Sequence, residues 1–200
     1  MPPPRSRAPR AACTGSCACS NTSTDRPDSA PRPGRSGVPS PPDFENKICA
    51  PDALGARLDC LPRPLVFTNG VFDLLHRGHV TCLARARALG ASLLVALNSD
   101  DSVRRLAKGP GRPVNALEDR LAVVAALEAA SLVTWFEDDT PLDLILKVRP
   151  EVLAKGGDWK PEAIVGAREV QGWGGTVHSI PFEHECSTTA LISKLSGLAR

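Results

Sequence analysis

Residues 65–89 read LVFTNGVFDLLHRGHVTCLARARAL. The apolar run Leu65, Val66, Phe67 has the length and composition of a buried strand. Asn69-Gly70 then reads as a turn. Val80, Leu83, Ala84, Ala86 and Leu89 recur at helical spacing, and Gly90 stands where a C′ residue would stop that helix. A strand, a glycine-containing connection and a helix N-terminus together form a layout that holds a phosphate. His76 and His79 fall at that N-terminus, separated by Arg77 and Gly78.

Strands and helices alternate from there on. Apolar runs at 92–97, 132–136, 152–154 and 177–180 predict four more strands. Asn115 with Glu118 predicts an N-cap and its reciprocal acid, opening a helix to about residue 130. Thr140-Pro141 and Pro161 predict two further helix starts with proline at N1, the second running to about Gln171. Ser187-Thr188-Thr189 predicts the cap of a last helix. The fold class expected is α/β: a Rossmann-like, doubly wound five-stranded parallel sheet with helices on both faces. Ligands of such sheets bind at the carboxyl ends of the strands, at the switch in strand order. The polar clusters 69–79, 98–101, 155–159 and the segment before Ser187 each follow a strand, so all converge on one rim.

The flanks bound the domain. Residues 1–45 contain ten of the nineteen prolines and no Leu or Ile, too little apolar surface to offset ordering entropy. They read as a disordered Pro/Ser/Arg-rich extension, with an organelle transit peptide as the alternative. Residues 46–63 read as a linker with a short helix near 53–58, and residues 64–200 as the catalytic domain. Residues 1–45 hold six Arg against four acids, which accounts for the whole net charge of +2. The rest is neutral and offers no electrostatic footprint for nucleic acid. No apolar run reaches the length of a membrane span. Seven cysteines without a CxxC pair suit a reducing, cytoplasmic setting, and Cys82 reads as a small buried hydrophobe. Residues 104–114, basic and rich in Gly and Pro, read as a mobile loop.

Two histidines beside a helix N-terminus suit nucleotidyl transfer. The attacking phosphate is already anionic, so catalysis consists of positioning and charge neutralisation. Histidines donate to phosphate oxygens, and Gly78 lets the backbone approach them.

The stretch T-N-G-V-F-D-L-L-H-R-G-H-V resembles the cytidylyltransferase-like superfamily, marked by H-x-G-H. K-G-P-G-R-P-V-N (108–115), E-D-R (118–120), A-K-G-G-D-W (154–159) and S-T-T (187–189) are similar to its heptose 1-phosphate adenylyltransferase branch. The resemblance implies transfer of AMP from ATP, with Mg²⁺, to a sugar 1-phosphate, giving ADP-heptose and pyrophosphate. Alternatives are a CTP-dependent transfer to a polyol or amino-alcohol phosphate, and a weakly catalytic nucleotide or sugar-phosphate binding protein.

Catalytic roles would fall to His76, His79 and Lys108. Thr68, Asn69, Gly70, Phe72, Gly78, Asn98, Arg120, Lys155, Gly156, Asp158, Ser187 and Thr188 would hold the nucleotide. Asp73 and Arg112 would bind the second substrate, and Asp73 is the candidate metal ligand. Simpler roles stay open: a solvated loop for Lys108 and Arg112, an intrahelical ion pair for Arg120, and capping alone for Ser187 and Thr188. The resemblance further implies small-molecule substrates, a homo-oligomer and a separate sugar kinase, because about 64 residues before the first strand are too few for a kinase. One departure is Glu185, which stands where the family pattern has glycine.

Overall fold

The computed structural model describes residues 42–106, 111–184 and 188–198. Five parallel strands form one sheet: β1 (Leu65–Gly70), β2 (Ser92–Asn98), β3 (Leu132–Phe136), β4 (Val152–Gly156) and β5 (Thr176–Ile180). Their order is β3-β2-β1-β4-β5. The chain winds outward from β1 in one direction and then resumes beside it as β4. That reversal opens a crevice at the carboxyl ends of β1 and β4.

Helices cover both faces. Leu65, Phe67, Leu94 and Leu153 pack against α1 (Leu54–Asp59), α5 (Leu142–Val148) and α6 (Ala167–Gly172). On the other face Val66, Leu93, Val95 and Ala154 pack against α2 (Arg77–Arg87) and α4 (Leu117–Ala125). The alternation along β1 and β2 is the period of two of a strand buried on both sides. The remaining helices are α3 (Asp100–Arg105) and α7 (Thr188–Leu198). No described helix is long and apolar enough to cross a membrane.

Several local expectations are corrected. Asn69 and Gly70 are not a turn; both pair with β2, and the chain turns after them. Gly90 is not at positive φ. It is required because a Cβ there would lie 2.5 Å from the Pro64 carbonyl oxygen and 2.7 Å from Val66. The helix expected from Asn115 starts one residue later, with Ala116 as N-cap, and ends at Ala125. Pro141, not Thr140, is the N-cap of α5. The helix expected from Pro161 is split: a 3-10 turn, Pro161–Ala163, is separated from α6 by Gly166 at φ 86°. A Cβ on Gly166 would sit 2.7 Å from Ile145, so the break lets the chain pass close over α5.

Residues 46–63, expected to link, carry core side chains: Cys49, Leu54 and Leu58 are buried. The Cys49 N–H donates to the Val133 carbonyl at 2.9 Å, seating this segment beside β3. The loop expected over 104–114 begins later than read, because α3 occupies its start with Ser99 as a capping acceptor for the Ser102 N–H.

Candidate active site

After Gly70 the chain leaves the sheet through Phe72, whose φ of 48° is left-handed and uncommon for an aromatic residue. That conformation turns the Phe72 ring edge-on to His79, with centroids 5.4 Å apart and planes at 65°. A Cβ on Gly70 would already touch the Phe72 ring at 2.9 Å, so Gly70 and Phe72 are built around each other. His79 in turn stacks on His76, with centroids 3.9 Å apart and an interplanar angle of 23°. His76 is the N-cap of α2 in extended conformation, and its carbonyl accepts from the His79 N–H at 2.9 Å. The two rings thus stack on each other at the head of α2.

Burial pushes the His76 ring below its ordinary pKa. Its Nδ1 is buried with no hydrogen-bond partner among the described residues. A proton on that atom would be an unsatisfied buried donor, so the neutral ring keeps its proton on Nε2.

Asp73 is 3% exposed. Its carboxylate accepts from the Val114 N–H at 2.9 and 3.0 Å and from the Asn115 N–H at 2.9 Å. Arg112 Nε lies 2.6 Å from Asp73 Oδ2, an ion pair outside hydrogen-bond alignment. The Asn115 side chain donates to the Asp73 carbonyl at 2.6 Å. Asn115 therefore clamps the turn carrying the histidines rather than capping a helix. Both carboxylate oxygens of Asp73 are met by protein donors. Among the described residues no group of three or more His, Cys, Asp or Glu could hold a metal ion.

Arg120 is 1% exposed, with its guanidinium turned into the protein. Its guanidinium donates to the carbonyls of Val71 at 2.7 Å, Asn98 at 2.9 Å and Asn115 at 3.1 Å, and to Asp100 at 2.6 Å. One side chain thereby ties the ends of β1 and β2 to the segment that Asp73 holds. The sequence signal that could have shown this is an arginine among the buried positions of an amphipathic helix.

Two clefts open at this rim. The larger, of about 520 Å³, is lined by Thr68, Asn69, Gly70, Phe72, Asp73, His79, Cys82, Arg112, Lys155, Gly156, Trp159, Phe182 and Thr188, among others. The smaller, of about 270 Å³, takes in Asn98, Asp139, Thr140 and Ile164. Asn69, Gly70, Val71, Lys155 and Trp159 line both. On this shared wall the Lys155 ammonium donates to Asn69 Oδ1 at 3.0 Å and to the Asn69 carbonyl at 3.3 Å.

Of the other candidates, Asn98 belongs to the smaller cleft, with its amide donating to Ser102 Oγ at 3.0 Å. Gly78 is buried in the first turn of α2. Asp158 is exposed and lines neither cleft. Thr188 opens α7, and its hydroxyl donates to the Leu74 carbonyl at 3.2 Å. Lys108, Ser187 and Glu185 lie outside the described residues. Cys82 is half-buried, packs against the core and also borders the larger cleft, and burial pushes its thiol up. Sequence reasoning placed Trp159 on the rim without a role and missed Phe182, Asp139 and Thr140 as lining residues.

Residues 67–194 match the family model described as cytidylyltransferase-like. The chain is 52% identical over 154 residues to the D-beta-D-heptose 1-phosphate adenylyltransferase of Bordetella bronchiseptica, covering 76% of this chain and 95% of that one. It is 54% identical over 131 residues to the bifunctional protein HldE of Hahella chejuensis, which is 66% of this chain and 27% of that protein. Among solved structures, the lipopolysaccharide core biosynthesis protein from Thermoplasma volcanium is similar at a TM-score of 0.50 and 26% identity. That match covers 61% of this chain and 98% of the other.

Proposed function

Since the chain belongs to the cytidylyltransferase-like family, we propose that it transfers AMP from ATP to D-glycero-β-D-manno-heptose 1-phosphate. The products are ADP-heptose and pyrophosphate. The observation that carries this reading is the pair of clefts with one wall in common, at the switch point of the sheet. A two-substrate transfer needs two compartments meeting at one point. The name and 52% identity of the Bordetella relative support heptose 1-phosphate as acceptor.

In this reading ATP occupies the larger cleft and the sugar phosphate the smaller. An oxygen of the sugar phosphate attacks the α-phosphorus, and the bond from that phosphorus to the oxygen bridging to the β-phosphate breaks. Pyrophosphate takes the electron pair. The attacking group is already anionic, so no side chain must remove a proton. His76 and His79 donate to the triphosphate at the head of α2, where the helix dipole favours negative charge. Lys155, on the shared wall, neutralises charge between the two reacting phosphates. Arg112, paired with Asp73 on the lining of the larger cleft, presents the rest of its guanidinium to the substrate phosphates. Asn98 and Thr140 face the sugar. Lys108 and Ser187 are assigned to the phosphates on the family resemblance alone.

Mg²⁺ belongs to this proposal as part of the MgATP substrate, carried on the phosphates. Among the described residues no cluster of three or more His, Cys, Asp or Glu forms a protein-held site for it, and Asp73 is engaged by Val114, Asn115 and Arg112. A cytoplasmic location, a sugar kinase activity that supplies the 1-phosphate, and a homo-oligomer complete the proposal. The free thiols of Cys49, Cys60 and Cys82 support a reducing compartment. Exposed Val80 on α2 and Val123 on α4 supply apolar surface for self-association. Light scattering that returns a monomer mass overturns the oligomer.

The test is pyrophosphate release from ATP, Mg²⁺ and heptose 1-phosphate. Release with CTP and glycerol phosphate, and none with the first mixture, overturns the assignment.

A further inference from the structure

We infer that Phe182, with Trp159 beside it, forms the platform on which the base of the nucleotide stacks. The inference rests on the nucleotidyl-transfer reading above. Within the larger cleft these are the large apolar side chains left open to water: Phe182 is 51% exposed and Trp159 49%. Aromatic rings in a cleft at such exposure forfeit burial that a flat, apolar ligand surface restores.

Both rings are anchored to one strip of main chain at the end of β4. A Cβ on Gly156 would lie 3.2 and 3.3 Å from atoms of the Phe182 ring, so that ring rests directly on the glycine backbone. A Cβ on Gly157 would lie 2.8 Å from Trp159 Nε1. The Trp159 indole N–H donates to the Gly156 carbonyl at 3.1 Å, and its backbone N–H donates to Ser179 Oγ at 3.0 Å. Gly157 N–H donates to the Ile180 carbonyl at 2.8 Å, which ties the strip to β5. Glu183, next to Phe182, pairs with Arg85 of α2, so the loop bearing the phenyl ring is fastened to the helix that carries His79. The rings are therefore held in place before any ligand arrives.

The same cleft is polar and cationic elsewhere, with Asn69, His79, Arg112 and Lys155 on its lining. A nucleoside triphosphate has the matching polarity, anionic at one end and flat and apolar at the other. With phosphates between His79 and Lys155, the base falls to the aromatic side. Phe182 lines the larger cleft only, whereas Trp159 lines both, so Phe182 is the principal contact and Trp159 also borders the acceptor.

The test compares wild type, Phe182→Ala and Phe182→Tyr by calorimetric titration with two probes, ATP and inorganic tripolyphosphate. Phe182→Ala is expected to weaken ATP by about tenfold, the scale of one base–aromatic stack, and to leave tripolyphosphate within about twofold. Phe182→Tyr is expected to restore ATP binding. Unchanged ATP affinity in Phe182→Ala overturns the platform. So does a parallel loss of tripolyphosphate, which would mean that the whole cleft had shifted. Wild-type pyrophosphate release, run alongside, separates the two claims. No turnover with the binding contrast intact sinks the reaction and leaves the platform standing. Turnover without the contrast sinks the platform alone.

Discussion

Replacing His79 by alanine removes a donor from the head of α2 and leaves Phe72 and His76 without the ring that both touch. The expected result is a kcat lower by about 10²–10³-fold, the scale of losing one oxyanion donor, with an unchanged circular dichroism spectrum. A fall of less than about tenfold would remove His79 from the transition state. His76 sets a pH dependence of its own. Its folded pKa lies below the unfolded value, so the unfolded chain binds more protons over that interval. Its contribution to stability is therefore fully present above the ordinary histidine range and is lost as pH falls toward the depressed folded value. His76→Gln should flatten that part of the urea midpoint against pH; an identical profile would show that the His76 pKa is the same in the folded and unfolded chain. The histidines were legible in the sequence because their spacing and the strand before them carry the signal. The burial of Arg120 was legible only in the periodicity of its helix, because the E-D-R triplet by itself does not distinguish an arginine that reaches outward from one buried to hold three carbonyls.

At the scale of elements, the Asp73 clamp decides how the turn after β1 meets the segment before α4. Asp73→Asn keeps the size but turns one acceptor into an amide facing the N–H groups of Val114 and Asn115, and leaves Arg112 without its charge partner. A loss of about 3 kcal/mol is expected in urea unfolding, the low end for breaking a buried pair. A loss below about 1 kcal/mol would show that the segment holds without it. The strands were readable because apolar runs of this length in an alternating pattern have few other structures available. Helix starts were less so. Asn115 satisfies the spacing of a capping box, yet its side chain is taken by a carbonyl 42 positions away, a competitor no local pattern contains. Gly90 likewise answers to Pro64, which sequence places far from it.

Across the whole molecule, the strand order brings residues from the loops after all five strands to one rim, and convergence on that rim followed from the α/β alternation. The contribution of residues 46–63 did not, because a short helix with two inward leucines has too little pattern to separate it from a linker. Deleting through Arg63 removes Leu54 and Leu58, each worth about 1.5–3 kcal/mol of burial, and uncovers one face of the sheet. Loss of a cooperative melting transition is expected, whereas deletion through Pro41 spares these residues. Equal melting of the two truncations would show that the face closes without α1.

The bond from Lys155 to Asn69 has a thermodynamic corollary. Both side chains border two compartments, so a ligand that draws the ammonium away from the amide in one alters the wall of the other. Linkage makes such an effect symmetrical: the factor by which the sugar phosphate changes the dissociation constant of a non-hydrolysable ATP analogue equals the factor in the reverse titration. In Lys155→Met that factor should move toward one from both directions. A coupling as large as in wild type would locate the communication elsewhere on the rim.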